Sequence, residues 1–193
     1  MRALLVAGVV ALALIVLAPA SAAKKGGCPA AWSAGWQKLA NKVDAPVYCP
    51  TWMPNPLDAK IGGQYQDIYS VGKDRSFLVS FLEHGDLGSG DVHVNFRGYP
   101  GRTAIPNCPA PVGKGKVPCF SEPVGHMSSK GIHATVYQVN QGADQWHIAL
   151  AWHFNRSLYV VSEHVIAPYR FTTQIKRNLA RLLTALVLVK PAG

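Results

Sequence analysis

Five runs between Arg75 and Val165 carry apolar residues at every second position. Successive side chains of an extended strand point to opposite faces, so this period means strand and excludes an all-helical chain. "DVHVNFRG" sets Val92, Val94 and Phe96 against His93, Asn95 and Arg97. "DQWHIALAWHF" sets Trp146, Ile148, Leu150, Trp152 and Phe154 against His147, Ala149, Ala151 and His153. "RSFLVSFLEH" is apolar at both parities and reads as covered on two sides. "GIHATVYQVN" and "SLYVVSEHV" complete the set, and "GQYQDIYSVG" reads as a further strand.

The period changes at both ends of the chain. Trp32, Trp36, Leu39 and Val43 follow the spacing of one helical face, with Gln37 and Asn41 opposite. In "TTQIKRNLARLLTALVLVKPAG" the residues Ile175, Leu179, Leu182, Leu183 and Leu186 fall on one stripe, with Arg177 and Arg181 nearly opposite. Each helix has one apolar stripe and needs a surface to cover. The expected fold is therefore α+β: an antiparallel sheet of about five to seven strands, packed by the N- and C-terminal helices.

Turn length tests the strand pairing. An odd loop at Gln141-Gly142-Ala143 sets Val136 beside Trp146, Ala134 beside Ile148 and Ile132 beside Leu150. A one-residue slip would turn every side chain to the other face. The turn at "NRS" leaves two options, with either Leu158 and Val160 or Tyr159 and Val161 facing the core. The even residues of "DQWHIALAWHF" are expected to form the main core of a central strand. Burying them stabilises by roughly 10 kcal/mol gross, at 1.5–3 kcal/mol per large side chain.

Residues 98–131 read differently. They hold six glycines and six prolines and show no sustained period. Loops of this length are uncommon in compact domains. This one reads as an exposed basic loop, pinned by a disulfide. Arg97, Arg102, Lys114, Lys116 and Lys130 face only one acidic residue there, Glu122.

Residues 1–22 read as a secretory signal peptide: a positive flank at Arg2, an apolar run from Leu4 to Ala18, then small residues at Ala20 and Ala22. Cleavage before Ala23 leaves 171 residues, 23–193, a length that suits one exported domain. The chain is then extracytoplasmic, secreted or periplasmic. The four cysteines fit an oxidising compartment. Three pairings are open; Cys28–Cys49 with Cys108–Cys119 is preferred because each closes a short loop.

The formal charge is +9, and loss of Arg2 with the signal makes it +8. An exported basic protein does not meet nucleic acid. Its partners would be an anionic envelope component or an acidic protein, with peripheral membrane contact through the basic C-terminal helix as a further option. The candidate anion-binding residues are Arg97, Arg102, Lys114, Lys116, Lys130, Arg177 and Arg181.

No G-x-S-x-G elbow, H-E-x-x-H pair or phosphate loop is present, so no catalytic residue and no cofactor is assigned. The alternation puts His133, His147 and His153 on one outer face, and an even turn at "NRS" would bring His164 to them. Three imidazoles could hold zinc or copper. The same pattern also describes a solvated strand face, and the expectation is that these histidines bind no metal. The leading reading is a non-enzymatic binding or structural module of the cell envelope. An envelope hydrolase and a histidine-based metal-binding protein are the alternatives.

Overall fold

The computed structural model describes residues 27–57, 65–66, 71–83, 92–110, 112–139, 147–164 and 172–193. Residues 1–22, read above as a signal peptide, the loop at Gln141-Gly142-Ala143 and Trp146 lie outside these residues.

Two helices and one large antiparallel sheet form the fold. The elements in chain order are α1 (Ala30–Val43), β1 (Val47–Pro50), β2 (Tyr65–Gln66), β3 (Phe77–Leu82), β4 (His93–Tyr99), β5 (Asn107–Pro109), β6 (Lys116–Pro118), β7 (Pro123–Ser129), β8 (Ile132–Val139), β9 (His147–Phe154), β10 (Ser157–His164), α2 (Thr172–Thr184) and β11 (Leu186–Val189). The sheet order is β2-β3-β4-β10-β9-β8-β7, six long strands and the two-residue β2. After β4 the chain crosses to the far edge at β7 and then returns strand by strand until β10 pairs with β4.

Even residues of β9 and odd residues of β10 face the helices. Ile148, Leu150, Trp152, Tyr159 and Val161 join Trp32, Trp36, Leu39, Ile175, Leu179, Leu182 and Leu183 in the main core. The helical stripe of α1 packs edge-on against the sheet aromatics, Trp32 on Phe81 at 5.3 Å and Trp36 on Phe96 at 5.8 Å. The opposite face of the sheet is covered as well. There Phe120, Ala149, Ala151, Leu158 and Val160 form a second cluster, with Tyr99, Ile105 and Tyr137 packed on it. Both options at the "NRS" turn are thus realised, one on each side of β10.

The disulfides are Cys28–Cys49 and Cys108–Cys119. The first ties the start of α1 to β1, and the second closes the β5–β6 hairpin. A chain with two bridges and no free cysteine folds in an oxidising compartment.

Three expectations are corrected. Val136 lies opposite Leu150, not Trp146, so β8 is displaced along β9 by four residues while its faces are kept. A period of two fixes parity and leaves the absolute register to the rest of the sheet. Residues 98–131 are not one loop, because they contain the β5–β6 hairpin and the edge strand β7. An edge strand exposed along much of its length carries no apolar alternation to read. The C-terminal helix stops at Thr184, and Leu186 lies in β11, paired with β1. The β-branched and leucine run "LVLV" suits a strand better than a final helical turn.

Candidate metal centre

His93 opens β4, His147 opens β9 and His164 closes β10, so all three stand at one end of three adjacent strands. The turn between β9 and β10 is Asn155-Arg156, two residues, both with positive φ. Such a two-residue turn matches the twist of the flanking strands. Its even length sets His164 directly opposite His147. The β4–β10 pairing, in which Val94 faces Glu163, then brings His93 beside His164. The parity of each strand turns all three rings away from the helices.

The three side chains are buried, at 3%, 3% and 6% exposure. The His147 and His93 Nε2 atoms are 2.9 Å apart in a hydrogen bond. The His93 and His164 rings stack with centroids 4.5 Å apart, and His147 meets His164 at 5.0 Å. One nitrogen from each ring can be chosen so that all lie within 4.8 Å of one another. In a tetrahedral site with Zn–N near 2.0–2.1 Å, ligand nitrogens stand about 3.3 Å apart. To reach that spacing the 2.9 Å pair would open slightly and separations toward the 4.8 Å limit would close.

The residues behind the cluster are polar and buried too. Ser80 donates to Asn95 Oδ1 at 2.6 Å, and Asn95 pairs with Ser162 across the strands. Ser162 is fully buried, and its hydroxyl has no hydrogen-bond partner among the described residues. A buried polar group without a partner costs about 1–3 kcal/mol, so its neighbourhood suits a bound ion or water.

Glu163 points the other way, toward α2. Its Oε1 accepts from Asn178 Nδ2 at 2.7 Å, while its Oε2 has no partner among the described residues. Burial pushes its carboxyl up to about 7, against a smaller lowering by the Asn178 bond. It stands across the sheet from the histidines and is not one of their group.

Of the sequence candidates, His147 belongs to the cluster, and His164 joins it through the even turn as its condition required; His133 and His153 do not. His133 is exposed and bonds Ser128 Oγ at 3.0 Å. His153 is exposed, with Nε2 2.9 Å from the Thr103 carbonyl. The face of His147 is not solvated at this end, which corrects the reading of a plain outer surface. Alternation alone puts His93 on the correct face of β4. Its partnership with β10 joins distant parts of the chain, and no local pattern shows it.

The basic candidates do not converge. Arg97 is half-buried within the second sheet face, opposite Leu78 and Val160. Arg102 pairs with Asp74 at 3.0 Å. Arg177 bonds Gln174, and Arg181 lies 4.2 Å over the Trp52 ring, both on α2. Lys130 sits in the β7–β8 turn. Lys116 lies on β6 and Lys114 just before it, so these two share the β5–β6 hairpin.

No family model, curated protein or solved structure matches the chain.

Proposed function

We propose that this is an exported metal-binding protein that holds one zinc or copper ion on His93, His147 and His164. The observation that carries this reading is the convergence of three buried imidazoles within 4.8 Å. Three imidazoles that face one another from adjacent strands present the nitrogen donors a shared ion needs. An all-nitrogen donor set suits zinc and copper, and leaves a tetrahedral ion one further position. The N-terminal signal sequence supports delivery to the oxidising compartment in which the two disulfides form. Exposure of 6% or less at each ligand favours holding a metal over presenting it to a bulky substrate, and so favours this reading over the hydrolase.

Purified protein stripped with a chelator should bind one equivalent of zinc or copper by calorimetry. His93→Ala, His147→Ala and His164→Ala should each abolish tight binding, and His153→Ala should not. Equal binding by all four variants would sink the assignment.

A second reading has its own support. The disulfide-closed β5–β6 hairpin carries Lys114, Lys116 and an 88% exposed Val112. That tip suits contact with an anionic envelope surface. Co-sedimentation with envelope fractions should then fall as salt rises, and Lys114→Ala/Lys116→Ala should weaken it.

A further inference from the structure

A cleft of about 450 Å³ lies apart from the histidines, at the opposite end of β10. Its walls are the C-terminal cap of α1 at Asp44, the turn at Arg75, Gly101 after β4 and the β9–β10 turn at Asn155 and Arg156. Five described non-glycine residues have positive φ, and Asp44, Arg75, Asn155 and Arg156 are four of them. Asp and Asn tolerate that conformation because their short side chains bond locally. Arginine has no such compensation.

Both arginines occupy positions that glycine fills best. Arg156 (φ 56) is the second residue of the two-residue turn, where Gly is preferred. Arg75 (φ 65) closes the turn that follows Gly72, with its N–H bonded to the Gly72 carbonyl at 2.9 Å. Left-handed backbone costs an ordinary residue about 1–2 kcal/mol, and such positions gather at ligand clamps. Neither guanidinium is ion-paired among the described residues. Arg75 makes one long bond, 3.4 Å to the Val43 carbonyl, and lies along the Gly101 backbone. Arg156 has no partner among the described residues. By contrast Arg102 is neutralised by Asp74.

We propose that Arg75 and Arg156 bind a small oxyanion, a carboxylate or phosphate group, in this cleft. The planar forks of two guanidinium groups match the oxygens of such an anion. Among the described residues, Asp44 is the one acidic residue lining the cleft, against two arginines. The cleft volume holds a metabolite-sized anion.

The test titrates inorganic phosphate and, separately, succinate into the full chain by calorimetry. A chelator is present, and chloride of equal ionic strength serves as control. The expected result is saturable binding of at least one of the two, and the arm that saturates identifies the anion class. Arg75→Gly and Arg156→Gly should each weaken it about tenfold or more while the denaturation midpoint holds or rises, because glycine relieves the backbone. Asp44→Asn should tighten it. Absence of saturable binding in both arms, or wild-type affinity in the two glycine variants, would overturn the proposal.

Discussion

His93 and His147 meet through their Nε2 atoms at 2.9 Å, although 54 residues separate them in the chain. One ring must donate and the other accept. Removing either leaves a buried nitrogen without its partner, at a cost of about 1–3 kcal/mol. His147→Ala should therefore lower the denaturation midpoint in the metal-free protein, while the exposed His153→Ala should cost under about 0.5 kcal/mol. Zinc at a hundred times its dissociation constant should add about 2.7 kcal/mol to the wild type. The same zinc should add nothing to His147→Ala. Paired denaturant curves, with zinc and with chelator, check both statements.

Glu163 makes stability depend on pH. Its carboxyl is raised to about 7 in the fold, from an ordinary value of 4.5. Between these values the folded chain binds the extra proton, so stability is fully present below about pH 4.5 and is lost as pH rises through 7. The loss amounts to about 3 kcal/mol at most. Glu163→Gln keeps an acceptor for Asn178 without the charge. With chelator present, the variant should match the wild type near pH 4.5 and exceed it at pH 8. Parallel stability profiles of the two proteins would show that the carboxyl is not desolvated.

The sheet offers a matched pair of packing tests. Trp152 is buried against Tyr48 at 5.2 Å and Tyr159 at 6.0 Å, so Trp152→Ala should cost about 3–5 kcal/mol by leaving a cavity. Gly98 lies opposite Phe77, and a Cβ there would stand 2.2 Å from the Phe77 ring. Gly98→Ala should cost about 1–3 kcal/mol by overpacking. Phe77→Leu should recover part of the loss in the double variant, because the coupling is direct.

The helices and the strand faces were legible because burial writes its own period. Every apolar residue of the α1 stripe, from Trp32 to Val43, is buried, and so are Ile148, Leu150 and Trp152. Sequence separation limited the rest. Alternation placed His93 and His147 on the same side of their strands, but only the β4–β10 pairing puts their rings in contact. Polar residues on the second face, Ser80, Asn95 and Ser162, look solvated in a sequence and are buried in the fold. Lys114 and Lys116 stay exposed on the hairpin, whereas Arg97 became part of a sheet interior that its charge did not suggest.

The two disulfides should differ in what their loss does. By loop closure alone they are nearly equal: the spans are 21 and 11 residues, and each bridge is worth roughly 3 kcal/mol through the unfolded chain. Their surroundings separate them. Cys49 is fully buried, with the Trp32 indole N–H 3.1 Å from its sulfur. The bridge fixes the start of α1, whose tryptophans carry the helix onto the sheet. Cys108–Cys119 closes a hairpin that is largely exposed. Replacing Cys28 and Cys49 with alanine should cost the entropic term and a cavity beside Trp32, and should lower the midpoint of the whole transition. Replacing Cys108 and Cys119 should cost less globally and loosen the hairpin first. Hydrogen exchange at Val117 should then rise well before that at Leu150, in the central strand. If the two double variants lost equal stability and exchanged alike, the first bridge would have no role in the core beyond restricting the chain.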